Sequence, residues 1–364
     1  MSGYQPAVPG NPIVLFTSWQ GLFYSDNPRA LSEELRRRGA PFDHVWVVGP
    51  RTGPLPDDVT AVPGGSVAHH AALESASYIV SNDTIHDVFV KAPGARYVQT
   101  WHGTPLKRIA FDVERPRFED ADRYPGDLAR DVARWDWLLS PSRWATDVLR
   151  RAFRYEGEIL ETGYPRNDLL ASERRDEVRA RVRGELGIPP DVRAVLYAPT
   201  WRDDESFALG LDLGRVARAL AGDHVFLLRA HWHAFASEQA RRVPGVRDVT
   251  DHQDLRELYL AADALITDYS SAMFDFAVTR KPMLFFAYDL ARYRDELRGF
   301  YLDFEAEAPG PILSEEAELL EALRDLDAVT TAHAGAYEAF RARFCHLDDG
   351  RASARVLEAV FGLP

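Results

Sequence analysis

The chain has 364 residues, 46% of them hydrophobic and 27% charged, and a formal net charge of −13. That length exceeds one ordinary core and fits about two soluble domains, while the acidic balance argues against nucleic-acid binding by the molecule as a whole. With a single cysteine, Cys345, no internal disulfide can form; no Cys/His cluster has structural-zinc spacing, and no apolar run approaches the ~18 residues of a membrane span.

The opening segment, MSGYQPAVPGNP, lacks the basic and apolar regions of a secretory signal, so a cytosolic protein is expected. Strands are expected at 13–16, 45–48, 76–80 and 96–100, with an amphipathic helix at 27–38, a Pro/Gly-rich loop at 53–65 and a short helix at 84–90. Strands at 137–139 and 159–162 flank a helix at 142–154, and this half closes on Gly163-Tyr164-Pro165-Arg166-Asn167-Asp168. A charged helix at 172–186 ends at Gly187-Ile188-Pro189-Pro190 and marks a boundary. A second alternating series follows, with strands at 194–197, 225–229, 246–249, 264–267 and 283–286 and tail helices at 315–326, 336–344 and 352–361. Alternation of this kind implies parallel sheets with crossover helices. The expected fold class is α/β, two doubly wound Rossmann-like domains facing across a cleft, at 1–170 and 171–364.

Ligands of such folds sit at the carboxyl ends of the strands. The sharpest corner is ALITDYSSAMFDFAVTRKP, from residue 264: strand, polar turn, helix, then a second strand. Ser270, Ser271 and the helix-start N–H groups there are suited to a phosphate, although serine at a helix start is also an ordinary N-cap. Polar residues follow the other strands too. His102, Thr104 and Lys107 follow residue 100; Thr200 and Arg202 follow residue 197; Arg229 ends its strand, with His231 and His233 beyond; and Asp251 and His252 follow residue 249. Any one of them could be structural: His102 a satisfied loop histidine, Asp251 a turn residue, Lys107 and Arg108 a solvated pair. Together they outline a histidine-rich, phosphate-ready site.

WHGTPLKRIAFD, GYPRND, YAPTWRD, LLRAH and above all LITDYSSAMFDFAVTRKP resemble the CDP-glycerol glycerophosphotransferases, the polyol-phosphate transferases of teichoic acid and capsule synthesis. In size the chain is closest to the family's glycerol-phosphate primases. The resemblance implies a glycosyltransferase-B-like fold and a peripheral enzyme at the inner face of the plasma membrane. It also implies transfer of glycerol phosphate, or a similar polyol phosphate, from a CDP-linked donor to a hydroxyl of a lipid-diphosphate-linked saccharide or polyol-phosphate acceptor, with CMP released. On that reading His102 is the general base, and His231, Thr200, Arg202, Ser270 and Ser271 hold the diphosphate. Thr104 and Arg229 bind substrate, Asp251 contacts the donor, Lys107 meets an anionic lipid diphosphate, and Asp268 orients a neighbour or caps the helix. Two departures are Trp232, where relatives commonly have proline, and an abbreviated loop between Phe111 and Trp135.

No Asp-x-Asp triplet lies on a strand end, and Asp325-Leu326-Asp327 falls in a tail helix, so no tightly bound metal is expected, and Mg²⁺ at most loosely. The rival readings are a nucleotide-sugar glycosyltransferase or epimerase of the same fold class, since fold does not fix function, and a non-catalytic nucleotide-binding or membrane-surface protein. The 142–154 helix sets Arg143, Arg150, Arg151 and Arg154 beside Trp144, Val148, Leu149 and Phe153. That pattern suits either membrane docking or a core-facing helix with a basic outer side.

Overall fold

The apolar runs of the first half form seven short strands: β1 (Ile13–Thr17), β2 (Asp43–Val48), β3 (Val59–Pro63), β4 (Tyr78–Ser81), β5 (Arg96–Gln99), β6 (Trp137–Ser140) and β7 (Glu158–Glu161). The computed structural model describes residues 10–113, 122–200, 210–230, 243–297 and 299–364. The chain divides into two compact units, the first comprising Met1–His102, Asp120–Asp168 and Leu347–Pro364. In that unit the sheet order is β3-β2-β1-β4-β5-β6-β7, parallel at each pairing. The order runs outward in both directions from β1 and β4, the doubly wound arrangement of dinucleotide-binding folds.

Two local expectations fail here for physical reasons. Within the Pro/Gly-rich stretch 53–65 the chain forms β3, and because β3 is the sheet edge, Pro63 at its end interrupts no ladder. The short helix expected at 84–90 does not form. Its backbone groups are taken by side chains instead: the buried Asp131 carboxylate accepts the Ile85 N–H at 3.2 Å, and Arg134 donates to the carbonyls of Ile85 and Asp87.

The second unit comprises Gly103–Glu119 and Leu169–His346. Its sheet contains β8 (Arg193–Tyr197), β9 (His224–Leu228), β10 (Val246–Asp248), β11 (Ala264–Thr267), β12 (Met283–Phe286) and β13 (Ile312–Leu313). The order is β10-β9-β8-β11-β12-β13, again parallel, with the reversal between β8 and β11. Val195, Phe226, Leu228, Ile266 and Leu284 bury one face of this sheet with Leu319 and Leu323 of the Glu316–Arg324 helix.

The domain limits differ from the expected 1–170 and 171–364. The last helix, Ala352–Phe361, returns to the first unit, where Val356, Leu357 and Val360 share a core with Val14, Leu31 and Trp46. Asp168 fixes the helix by accepting the N–H groups of Ala352 and Ser353, both at 2.8 Å. Gly163 makes room for it: the backbone has φ +77°, and a Cβ would lie 2.8 Å from the Leu347 carbonyl oxygen. The GYPRND stretch therefore serves as the anchor of a distant helix.

The expected membrane helix forms as Arg143–Phe153, but its apolar side faces inward. Val148, Leu149 and Phe153 are buried, and Phe153 packs edge-on against Trp101 and Trp135. The core-facing reading holds, and these residues cannot enter a bilayer while the fold is intact. Among the described residues no helix is long and apolar enough to cross a membrane.

Two outcomes follow from this packing. Replacing Asp168 with alanine leaves two helix-start N–H groups without their acceptor, which should cost about 1–2 kcal/mol in urea unfolding. His44, on β2 and only 4% exposed, sits 2.9 Å from the Ser32 hydroxyl, and burial, then Arg36, pushes its pKa down to about 4. The unfolded chain therefore binds a proton near pH 6.5 that the folded chain refuses until about pH 4. The contribution of His44 is intact above pH 6.5 and is lost as pH falls toward 4, by up to roughly 3 kcal/mol. His44→Gln should flatten the stability–pH curve across that window.

Candidate active site

At the first switch point, the loops leaving β1 and β4 meet around one histidine. His102 follows the end of β5, and its Nδ1 lies 2.6 Å from the carbonyl oxygen of Asn82, directly after β4. A carbonyl only accepts, so Nδ1 carries the proton and Nε2 is the basic nitrogen. The imidazole has two indoles against it, with ring centroids 4.4 Å away for Trp19, tilted, and 3.9 Å away for Trp101, stacked. Trp19, Gln20 and Trp101 all have left-handed backbone, φ 50°, 55° and 52°, which is uncommon for bulky residues and costs energy that the surroundings must repay. The repayment is visible in the hydrogen bonds. Asn82 Oδ1 accepts the Trp19 N–H at 2.8 Å, Gln99 Oε1 accepts that of Trp101 at 2.9 Å, and the Trp101 carbonyl accepts Asn27 Nδ2 at 3.0 Å. Asn27 Oδ1 in turn receives the Arg166 N–H, while Arg166 pairs with Asp26 at 2.9 Å.

In the second unit the reversal lies between β8 and β11. Asp268, 2% exposed, joins the two following loops: its Oδ1 accepts the N–H of Thr200 at 2.9 Å and that of Tyr269 at 2.6 Å. Thr267 Oγ1 adds a 2.7 Å bond to the Ala198 carbonyl. Of the two roles open to Asp268, this geometry is that of an orienting group. Ser270 Oγ accepts the Ala272 N–H at 3.2 Å, as an ordinary capping serine does, whereas the Ser271 side chain makes no cap. The helix that follows, Ala272–Ala277, has only six residues, so hydroxyls rather than a long helix dipole characterise this corner.

Gly103 packs against this corner. A Cβ there would come within 2.8 Å of Ser271 Oγ and 3.1 Å of its Cβ. The segment after Gly103 docks on the same unit: Lys107 pairs antiparallel with Phe300, Tyr301 donates its N–H to the Leu106 carbonyl, and the Tyr301 hydroxyl bonds Asp112 at 2.9 Å. Thr104 is buried, and Lys107 Nζ lies 5.8 Å from the ring of Tyr293, which stacks on Tyr269. Thr104 and Lys107 thus belong to the second unit rather than to the expected N-terminal domain.

The other expected residues divide further. Arg229 Nη1 donates to the carbonyls of Val249, Thr250 and His252, so this guanidinium braces the loop after β10. Asp251 is exposed on that loop, and His252 pairs with Glu257 at 2.9 Å. Arg202, His231 and His233 lie outside the described residues. Sequence reasoning assigned no role to Trp19, Asn27, Asn82 or Trp101. The signal for Asn82 was its place just past a strand end, hidden by ending that strand at residue 80 and expecting a helix from 84.

The family model for CDP-glycerol:poly(glycerophosphate) glycerophosphotransferase matches residues 5–362. The chain belongs to that family. This glycerophosphotransferase is 38% identical to a teichoic acid glycerol-phosphate transferase of Staphylococcus aureus, over 97% of this chain and 94% of that protein. It is 37% identical to a teichoic acid poly(glycerol phosphate) polymerase of Bacillus subtilis, over 96% of this chain but 48% of the longer polymerase. Among solved structures, the wall teichoic acid polymerase TagF soaked with CDPG superposes with a TM-score of 0.88 at 36% identity, covering 96% of this chain and 88% of that one. A UDP-GlcNAc 2-epimerase from Neisseria meningitidis, at 12% identity and TM-score 0.57 over 96% of this chain and all of its own, shares the fold alone. The glycosyltransferase-B-type fold class and the membership expected from the motifs both stand.

The Gly103 contact makes a specific expectation. Gly103→Ala should drive the added methyl into Ser271 and lower turnover by roughly 10–100-fold, since small displacements of positioned groups are costly. It should also destabilise the fold by about 1–3 kcal/mol. Ser271→Gly in the same chain should recover part of the lost thermal stability while turnover stays low.

Proposed function

We propose that the chain transfers glycerol phosphate from CDP-glycerol to an acceptor hydroxyl, with His102 as the general base. The donor is that of the family to which the chain belongs. The new bond joins the acceptor oxygen to the glycerol-bearing phosphorus, the bond from that phosphorus to the CMP oxygen breaks, and CMP leaves. The observation that carries the role of His102 is its tautomer: Nδ1–H is committed to the Asn82 carbonyl, which leaves the Nε2 lone pair to accept the acceptor's proton.

In this reading Thr200, Ser270 and Ser271, together with Arg202 and His231, hold the donor diphosphate and the charge that grows on its oxygens. Asp268 fixes the backbone that carries Thr200. Charge neutralisation is assigned to these groups rather than to a resident metal. The acceptor is a lipid-diphosphate-linked saccharide or a growing polyol-phosphate chain in teichoic acid or a similar envelope polymer, and the enzyme works peripherally at the inner face of the plasma membrane.

His102→Ala separates chemistry from binding. Its single-turnover rate with CDP-glycerol and lipid acceptor should fall by about 10²–10⁴, while calorimetry shows donor affinity near wild type. Turnover near wild type in the folded variant would overturn the base assignment. Turnover of UDP-sugars in place of CDP-glycerol would favour the nucleotide-sugar reading.

A further inference from the structure

We propose that Trp19 is a positioning residue for His102: its indole face seats the imidazole with Nε2 available and stabilises the imidazolium formed when the acceptor proton arrives. The inference rests on the base role assigned to His102 and extends it to a residue outside the motifs that mark the family in the sequence.

Three observations converge on Trp19. Its ring centroid lies 4.4 Å from that of His102, at an interplanar angle of 40°, within the range where an aromatic face attracts a cation. Its backbone is held at φ 50°, and the following Gln20 is also left-handed at φ 55°, a conformation that aims the side chain but is costly for a tryptophan. The residue that keeps it there is Asn82, fully buried, whose Oδ1 accepts the Trp19 N–H while its own carbonyl accepts the His102 Nδ1–H. One residue therefore sets the tautomer of the imidazole through its main-chain carbonyl and the placement of the tilted indole through its side-chain amide. Trp101 covers the imidazole at 3.9 Å, but Trp101 is itself buried and edge-on to Phe153, a core role that leaves Trp19 the partner that can be varied without opening the core.

The carboxylates on the elements packed around His102 are already engaged. Asp83 accepts Gln20 Nε2 at 3.2 Å and the Thr84 N–H at 2.8 Å, and Asp26 is paired with Arg166. Removing the indole face thus takes away a stabiliser of the charged imidazole while these carboxylates keep their own partners.

The test compares Trp19→Leu, Trp19→Phe and His102→Ala by pH–rate profile and by NMR titration of the His102 ring protons. In Trp19→Leu the His102 midpoint should fall by about 0.5–1 unit, in the NMR titration and in the acidic limb of the rate profile alike. Turnover should drop about tenfold or more with KM for CDP-glycerol within twofold. Trp19→Phe, which keeps an aromatic face, should lie between Leu and wild type on both scales, and it supplies the measurement if Trp19→Leu does not fold. Loss of rate and stability with an unmoved His102 midpoint in both folded variants would mean that Trp19 is merely structural and would overturn the proposal. The NMR midpoint is read without turnover. A failure of the base role, seen as an active His102→Ala, is therefore distinguishable from a failure of the stacking role.

Discussion

Each unit depends on a reversal of strand order in a parallel sheet. Parallel neighbours force every strand to end on the same edge, and where the winding changes direction the two loops diverge instead of covering each other. Here those places are between β1 and β4 and between β8 and β11. Both are bridged by a buried side chain that reaches from one loop to the other: Asn82 to Trp19 in the first unit, Asp268 to Thr200 in the second. A polar group buried at such a point must find partners or destabilise the fold, and the partners available are the backbone groups of the opposite loop. The bond that satisfies Asp268 holds Thr200 in place, and the one that satisfies Asn82 fixes the residue whose main-chain carbonyl takes the His102 ring N–H.

The division of the chain into units follows packing rather than sequence order. Residues 103–112 pass to the second unit because the Lys107–Phe300 bridge and the Tyr301 contacts give their backbone a partner there. The final helix returns to the first because its apolar stripe completes that unit's core and Asp168 receives its first N–H groups. Both exchanges sit beside motif residues, Gly103 and Gly163, at which a side chain would collide with a neighbour. Part of what makes these motifs distinctive is thus steric, in glycines that allow remote segments to approach.

Charge is distributed on the same principle. In a chain of net charge −13, several basic residues, the candidate Arg229 among them, are committed to carbonyl oxygens. Arg229 holds the loop after β10, while Lys281, Arg179 and Arg183 gather on the carbonyls at the end of the Leu255–Ala261 helix, where the helix dipole favours cations. Desolvation pushes the pKa of Arg229 down, and burial, with Arg179 next among the lowering influences, brings that of Lys281 to about 7. A partly buried cation of this kind is a brace first, whatever else it touches.

The sequence alone determined the alternating elements, the α/β class and the family, because periodicity, turn residues and motif order are local properties. The strand expected at 264–267, the strand expected at 283–286 and the helix expected at 352–361 formed with those bounds. It also singled out His102, Thr200, Asp268, Ser270 and Ser271 by their place just past parallel strands, and each does follow the end of β5, β8 or β11. Tertiary structure decided what depends on remote partners. The stretch 84–90 stays extended because Asp131 and Arg134 take its backbone groups, and the Arg143–Phe153 helix turns its apolar side to the core because Trp101 and Trp135 wait there. His102 acquires its tautomer from a carbonyl 20 residues away, and an aromatic neighbour, Trp19, from a loop more than 80 residues away. No window of sequence carries those pairings, since each is set by which strands the sheet brings side by side.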